Sequence, residues 1–293
     1  MEVDDFAPRL SFFFNSHIDF FEEIGKFRAA RRIWATWMKD RYGAKDERSL
    51  MCRFHTQTAG VSLTAQQPEI NIARVAIQAL AGALGGTQSL HTDSYDEALA
   101  LPTEKAARIA LRTQQIVAHE TGVVDVADPL GGSPFVEWMT DEMERQAGEI
   151  FDHLLDLGEG SILEGCYEGI ENGYFVGEIA DSAYRFEREV NAGDRIIVGV
   201  NAFTDGDDAD SRNLLRIGQD TEDYQLKRLA DIKQQRDDAA VTAGLRRIRD
   251  EAGDPQVNLM PAVIDAVKSY ATEGEIVCAL ADVFGRYTEK AIV

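Results

Sequence analysis

Cysteine is scarce in this 293-residue chain: Cys52, Cys166 and Cys278 are three residues far apart, with no CxxC spacing. Such an odd, scattered set supplies neither a disulfide framework nor a thiolate zinc site, so it reads as three small buried apolar side chains. Long apolar runs are missing too. Nothing approaches the roughly 20 residues needed to span a bilayer, and the start MEVDDFAPRL has neither the basic nor the apolar part of a signal peptide. The expectation is a soluble, cytoplasmic protein with no membrane partner. Positive charge is the third shortage, with 30 basic residues against 51 acidic ones for a formal net charge of −21. That balance disfavours a nucleic acid partner. Arginine outnumbers lysine, and the acidic run DGDDAD at Asp205–Asp210 reads as a solvated loop. We expect a halophilic protein, in which salt screens the mutual repulsion of so many carboxylates. The hydrophobic share, 44%, is that of an ordinary globular core, enough for one large or two modest domains.

The informative stretch runs from Ser49 to Thr103. Two short apolar runs, Leu50–Phe54 and Thr87–Leu90, are each followed by polar residues and are joined by an amphipathic segment, Glu69–Leu84. In that segment Ile72, Val75, Ala76, Ala79, Leu80 and Ala83 recur at helical spacings, and Gly85 and Gly86 supply a stop. The order is strand, polar loop, helix, strand, polar loop. In a β/α barrel, groups after strand ends line the ligand mouth, which would bring His55, Thr56, Gln57, Gln88, Ser89 and His91 to one place. These are mostly neutral hydrogen-bond formers, suited to holding a carbonyl or carboxylate rather than attacking it. The same composition also suits solvated loops that cap their own backbone. His91 with Asp93 is the one local pair suggestive of a metal hydrolase, and it lacks further ligands at recognisable spacing; no metal site is expected.

Elsewhere, Ala7–Phe14 reads as a strand entered by a turn at Pro8. Asp19–Tyr42 reads as a helix ended by Gly43, with Arg28, Arg31 and Arg32 on an outer or interface face. Glu104–Glu120 is a helix with Thr103 as N-cap and Gly122 beyond its end. Val123–Val126 is a further short strand candidate, and DPLGGSP is turn chemistry. Phe135–Leu157 is a long helix with Trp138, Met139, Met143 and Ile150 inward, and helical signals continue to Val190 around Gly165, Gly169 and Gly173. Arg195–Val200 is the last strand candidate. An acidic linker over 201–222 leads to a helical C-terminal appendage over 223–293, whose last helix opens with a Thr272/Glu275 capping box. The fold class is α/β. Four or five strands over 1–200 make about half of a (β/α)8 TIM-type barrel, leaving open edges that call for another half.

Several motifs, in order, bear on family: APRLSFFF, HTQT, TAQQ, GGTQSLHT, DEALALPT, DPLGGSPFVEWMTDEM and the tail NLMPAVIDAVKSYATEGEIVCALADVFGRY. Together they closely resemble the adenosylcobalamin-dependent acyl-CoA mutases, the methylmalonyl-CoA mutases in particular, over the second half of the catalytic subunit's substrate barrel. The resemblance implies an isomerase that interconverts methylmalonyl-CoA and succinyl-CoA, as in propionate metabolism, by a radical rearrangement that the cofactor initiates. It implies acyl-CoA contacts at Arg9, Leu10 and Ser11, with the arginine suited to a phosphate. His55, Gln57 and Gln88 would hold the reacting acyl group, and Gly60, Glu97 and Ala98 would face the cobalamin. The family's DxHxxG motif, which carries the histidine below cobalt, is absent; His17, His55, His91, His119 and His153 all lack its context. The cobalamin-binding domain or subunit and an N-terminal half-barrel are therefore expected partners. Sister mutases acting on isobutyryl-, ethylmalonyl- or hydroxyisobutyryl-CoA are the nearest alternative. A noncatalytic CoA- or cobalamin-binding assembly module is the alternative from another class.

Overall fold

The computed structural model describes residues 1–206 and 214–288, so residues 207–210 of the acidic run lie outside the described residues. It divides into two compact units, Met1–Arg216 and Ile217–Val293.

The first unit is built on a three-stranded parallel sheet in the order β1-β2-β3, with β1 Phe12–Ser16, β2 Phe54–Thr58 and β3 Ser89–His91. After a short α1, Val3–Phe6, each strand is followed by a helix: α2 Phe20–Thr36, α3 Asn71–Leu84 and α4 Glu104–Glu120. Parallel neighbours need such crossovers, which explains the alternation. Asp19 caps α2 by accepting from Glu22 N, and Thr103 Oγ1 caps α4 by accepting from Ala106 N. A π-turn, Trp37–Arg41, extends α2 before Gly43 turns the chain at φ +69°.

The register sorts side chains into two faces. Phe12, Phe54 and then Phe14, Thr56 and Leu90 point one way, where Phe27 of α2 stacks on Phe54 at 5.3 Å between ring centroids. Phe27 and Phe54 are fully buried, worth about 2 kcal/mol each in apolar burial. Phe13, Asn15, His55, Gln57, Ser89 and His91 point the other way, and Phe13 is 60% exposed there. At the end of α3 an atom at the Cβ position of Gly85 would lie 2.3 Å from Phe27 Cδ2, so glycine lets this helix close onto the core.

The remaining helices of this unit are α5 Pro134–Leu157, α6 Ile162–Glu171 and α7 Tyr174–Ala192. The arginine face of α2 meets α5: Arg28 donates to Glu137 at 2.7 Å and Arg32 to Asp141 at 2.6 Å. Gly165 of α6 sits against the backbone of α5, since a Cβ there would be 1.8 Å from Leu154 O.

Several expectations change. The strand at Leu50–Phe54 begins only at Phe54, because Leu50 ends a 3-10 turn and the polar HTQT itself forms β2. Its threonines can be buried since Thr56 Oγ1 donates to Thr87 Oγ1 at 2.8 Å and Thr58 Oγ1 accepts from Asp93 N at 2.9 Å. Val123–Val126 contains a 3-10 turn rather than a strand, and Val124 and Val126 are exposed. Arg195–Val200 makes only an isolated bridge, Val198 to Ala202; Asn201 intercepts its backbone by accepting from Ile197 N and donating to Arg195 O. Among the described residues the count is thus three paired strands rather than four or five. On α5 the buried stripe is Val136, Thr140 and Leu154, while Trp138 and Ile150 face out. Of the cysteines, only Cys52 is buried; Cys278 is exposed.

The second unit is helical: α8 Gln219–Gln235, α9 Asp238–Ala252, α10 Met260–Lys268 and α11 Glu273–Phe284. Helix therefore starts at Gln219, inside the segment read as linker. The core is Val241, Ile248, Ala262, Ala266, Ile276 and Ala279. Thr272 and Glu275 form the reciprocal capping box, and Arg236 binds Glu275 through two bonds of 2.7 and 2.8 Å. Among the described residues no helix is long and apolar enough to cross a membrane.

Candidate functional site

The open face of the sheet collects the polar residues, and the strand direction gives it two ends. On β2 and β3, His55 Nδ1 lies 2.6 Å from Ser89 Oγ, and Phe13 of β1 packs its ring 5.1 Å from the His55 ring. One residue pair further along, Gln57 and His91 stand opposite each other in register. Thr56, although between them in sequence, points to the helices and is buried.

Beyond the C-terminal ends of the strands lie the loops that follow β2 and β3. Asn71, buried at the start of α3, fastens them together: its Nδ2 donates to Thr64 O and Tyr95 O, both at 2.9 Å, and its Oδ1 accepts from Thr64 N. Asp93 is the centre of this end. It is 1% exposed, its Oδ1 accepts from Gln57 Nε2 at 3.0 Å, and His91 Nε2 stands 3.4 Å away. Asp93 Oδ2 is buried without a hydrogen-bond partner. Gly60 opens a cradle beside it: an atom at its Cβ position would lie 2.9 Å from Glu97 Oε1 and 3.6 Å from Asp93 Oδ2. Burial first, and then the charge and contact of Asp93, push the Glu97 carboxyl up to about 7, although the outer side of Glu97 is exposed. Ala98 follows it on the surface.

Arg9, Leu10, Ser11 and Gln88 are at the opposite, N-terminal end. Arg9 closes a 3-10 turn just before β1 and is exposed, and no ion pair of Arg9 is seen among the described residues. Gln88 precedes β3, where its Oε1 accepts from Phe54 N at 2.7 Å and its Nε2 donates to Gly86 O at 2.8 Å. It clamps the starts of β2 and β3, and does not join His55 and Gln57 on the open face as the barrel-mouth reading expected. Of Asn71 and Asp93, the residues that organise the other end, the sequence reading has no role for Asn71 and takes Asp93 only as half of a possible metal pair. Among the described residues no group of three or more His, Cys, Asp or Glu side chains is arranged to hold a metal ion.

The arrangement offers a strip of neutral hydrogen-bonding groups between an exposed arginine at one end and a carboxyl-lined cradle at the other. Such a strip can orient a polar ligand along the strands without a built-in nucleophile. The chain is 44% identical over 292 residues to the 2-hydroxyisobutanoyl-CoA mutase large subunit of Aquincola tertiaricarbonis, covering 100% of this chain and 51% of that protein. It is 40% identical over 288 residues to the methylmalonyl-CoA mutase of Rhizobium meliloti and 41% identical over 288 to that of Escherichia coli, covering 98% of this chain each time and 40% and 39% of those proteins. The chain thus spans about half, or less, of the length of these relatives. The family model described as methylmalonyl-CoA mutase matches residues 1–286, nearly the whole sequence, and on that match and these identities the chain belongs to the methylmalonyl-CoA mutase family.

Proposed function

We propose that this chain supplies part of the catalytic site of an adenosylcobalamin-dependent isomerase that interconverts methylmalonyl-CoA and succinyl-CoA. The observation that carries the reading is the open sheet face, with His55 and Gln57 flanked by Ser89 and His91 and bounded by Arg9 at one end and the Gly60 cradle at the other. The coenzyme A part of the substrate would lie toward Arg9, Leu10 and Ser11, where the guanidinium suits a phosphate. His55 and Gln57 would hold the acyl group by its carbonyl and carboxylate oxygens, and Gln88 would serve by fixing the starts of β2 and β3 that frame the pocket. The cradle suits the cofactor: Gly60 leaves room for close approach, and the Glu97 carboxyl, beside Asp93, borders that space as a partner for a hydroxyl group. Ala98 adds a small exposed residue beside them. When bound, adenosylcobalamin supplies the radical that starts the rearrangement. What the protein adds is orientation by neutral groups and the exclusion of water.

Exclusion of water needs a cover. The outer edges of β1 and β3 have no strand partner among the described residues, and Phe13 is exposed on the open face. The reading is a portion of a (β/α)8 barrel completed by an N-terminal half-barrel, with cobalt ligated by a cobalamin-binding domain or subunit. The fragmentary span of the chain relative to its relatives supports this.

A second substrate is favoured by one observation, the 44% identity to a protein named for 2-hydroxyisobutanoyl-CoA. The test is to capture the assembly through this chain from its own cells, add adenosylcobalamin, and compare kcat/KM for methylmalonyl-CoA and 2-hydroxyisobutanoyl-CoA. Preference for the first is expected, preference for the second would reassign the substrate, and binding of either without conversion would leave a noncatalytic module.

A further inference from the structure

Buried acceptors without partners are uncommon, and each calls for a donor. Asp93 Oδ2 is one: the residue is 1% exposed, its other oxygen is committed to Gln57, and its backbone N–H is committed to Thr58 Oγ1. Gln57 and His91 both sit on the Oδ1 side. The group that shares the Gly60 cradle with Oδ2 is the Glu97 carboxyl, and two ionised carboxylates there would repel and leave Oδ2 unsatisfied. A single proton removes both problems at once.

We propose that Asp93 and Glu97 share one proton, Glu97 donating to Asp93 Oδ2, so that Asp93 keeps its charge for Gln57 and His91. Glu97 then presents itself to a ligand as a neutral carboxylic acid. That changes what the cradle can bind: its free carbonyl oxygen accepts from a ligand hydroxyl, and no second negative charge faces the approaching group. Asp93 is thereby a positioning residue, acting through Gln57, His91 and Glu97. The titratable groups facing Glu97 are consistent with this. Asp93 and Asp96 come from its own loop, His91 comes from β3 through Asp93, and the loop after β2 presents Gly60, its one ionisable side chain, Glu69, standing by Tyr95 and Asp96. Asp96 is itself held by Thr103, whose backbone N–H and hydroxyl both donate to its Oδ2 at 3.0 Å, and beyond it stand Glu69, Tyr95, Glu104, Lys105 and Arg108. Burial and the Asp93 charge raise the Glu97 carboxyl in the direction a shared proton requires.

The identity of the ligand rests on the mutase reading, but the proton does not. The test is a carboxyl-carbon NMR titration of the full 293-residue chain, with Asp93→Asn beside it. Glu97 is expected to titrate at about 7 in the wild type and to fall by about one pH unit or more in Asp93→Asn, where the charge is gone and the new amide donates instead. Titration in the ordinary glutamate range in both proteins would overturn the proposal. A second comparison uses melting temperature. Glu97→Gln keeps a donor for Oδ2 and should melt above Glu97→Ala near neutral pH, whereas equal melting of the two there would mean that no donor is needed. Neither readout needs turnover. A chain that titrates as expected but isomerises no acyl-CoA removes the mutase reading alone; an active mutase with an ordinary Glu97 removes this one.

Discussion

Replacing Gly60 by alanine separates what the cradle does for folding from what it does for binding. Gly60 opens a 3-10 turn, Gly60–Ser62, and is not among the residues with positive φ, so alanine can adopt its backbone. Stiffening the unfolded chain then favours the variant by about 0.4–1 kcal/mol. Against this, the new methyl carbon would lie 2.9 Å from Glu97 Oε1. That atom ends a flexible, partly exposed side chain, and moving it off its rotamer costs about 0.5–1.5 kcal/mol. The two effects nearly cancel, so stability should change by less than about 1 kcal/mol and the melting temperature by no more than about 4 °C. Binding has no such compensation. The methyl occupies the space that the Glu97 carboxyl borders, and a lost hydrogen bond to that neutral acid costs about 0.5–1.5 kcal/mol. Adenosylcobalamin affinity of the assembled enzyme should therefore fall by about twofold to tenfold, read by absorbance titration alongside a thermal melt. Unchanged affinity with unchanged melting would refute the placing of Gly60 at the cofactor. A large drop in melting would refute the packing argument.

Other predictions address the scaffold. Gly165→Ala drives a methyl group into Leu154 O of α5, a backbone atom that cannot swing aside; a loss of about 3 kcal/mol is expected in chemical denaturation, and a neutral result would mean that α5 and α6 do not pack as described. In the second unit the Arg236 guanidinium, then the capping contacts of Thr272, hold the Glu275 carboxyl down to about 2. Because its folded value lies below the unfolded one, the stabilisation is present above the usual glutamate range and is lost as pH falls toward about 2. Arg236→Met should flatten the acid limb of melting temperature against pH, and an unaltered limb would exclude the pair as its origin. The net charge of −21 predicts a melting temperature that rises between dilute and molar KCl; no rise would remove the halophilic reading.

Helices were legible because their signals are local. Asp19 and Thr103 are caps with the expected bonds, α3 forms where its apolar spacing put a helix although only Val75 and Ala79 of that stripe are buried, and Thr272 with Glu275 forms the reciprocal box. Strands were less legible, since a strand's partners are remote in sequence. HTQT looks like loop until Thr56 and Thr58 find hydroxyl and backbone partners 31 and 35 residues away. RIIVGV looks like strand until Asn201 takes its backbone groups. The same distinction applies to the site. His55 and Gln57 share the open face and Gln88 does not, yet nothing in the spacing of Asp93 marks it as the residue to which Gln57 and His91 both turn. Nor does the sequence reveal that Gln88 spends both ends of its amide on backbone.

The central claim is that the open sheet face holds the reacting acyl-CoA, and Gln57 is its most direct probe. Gln57 is half-buried, and its side-chain amide donates to Asp93 Oδ1 at 3.0 Å. In the assembly captured through this chain, Gln57→Ala should lower kcat/KM for methylmalonyl-CoA by about a hundredfold, the equivalent of about 2.7 kcal/mol of transition-state stabilisation, while melting shifts by only a few degrees, about 4 °C at most. Full turnover by that variant would contradict the account and move the acyl-CoA site off this face.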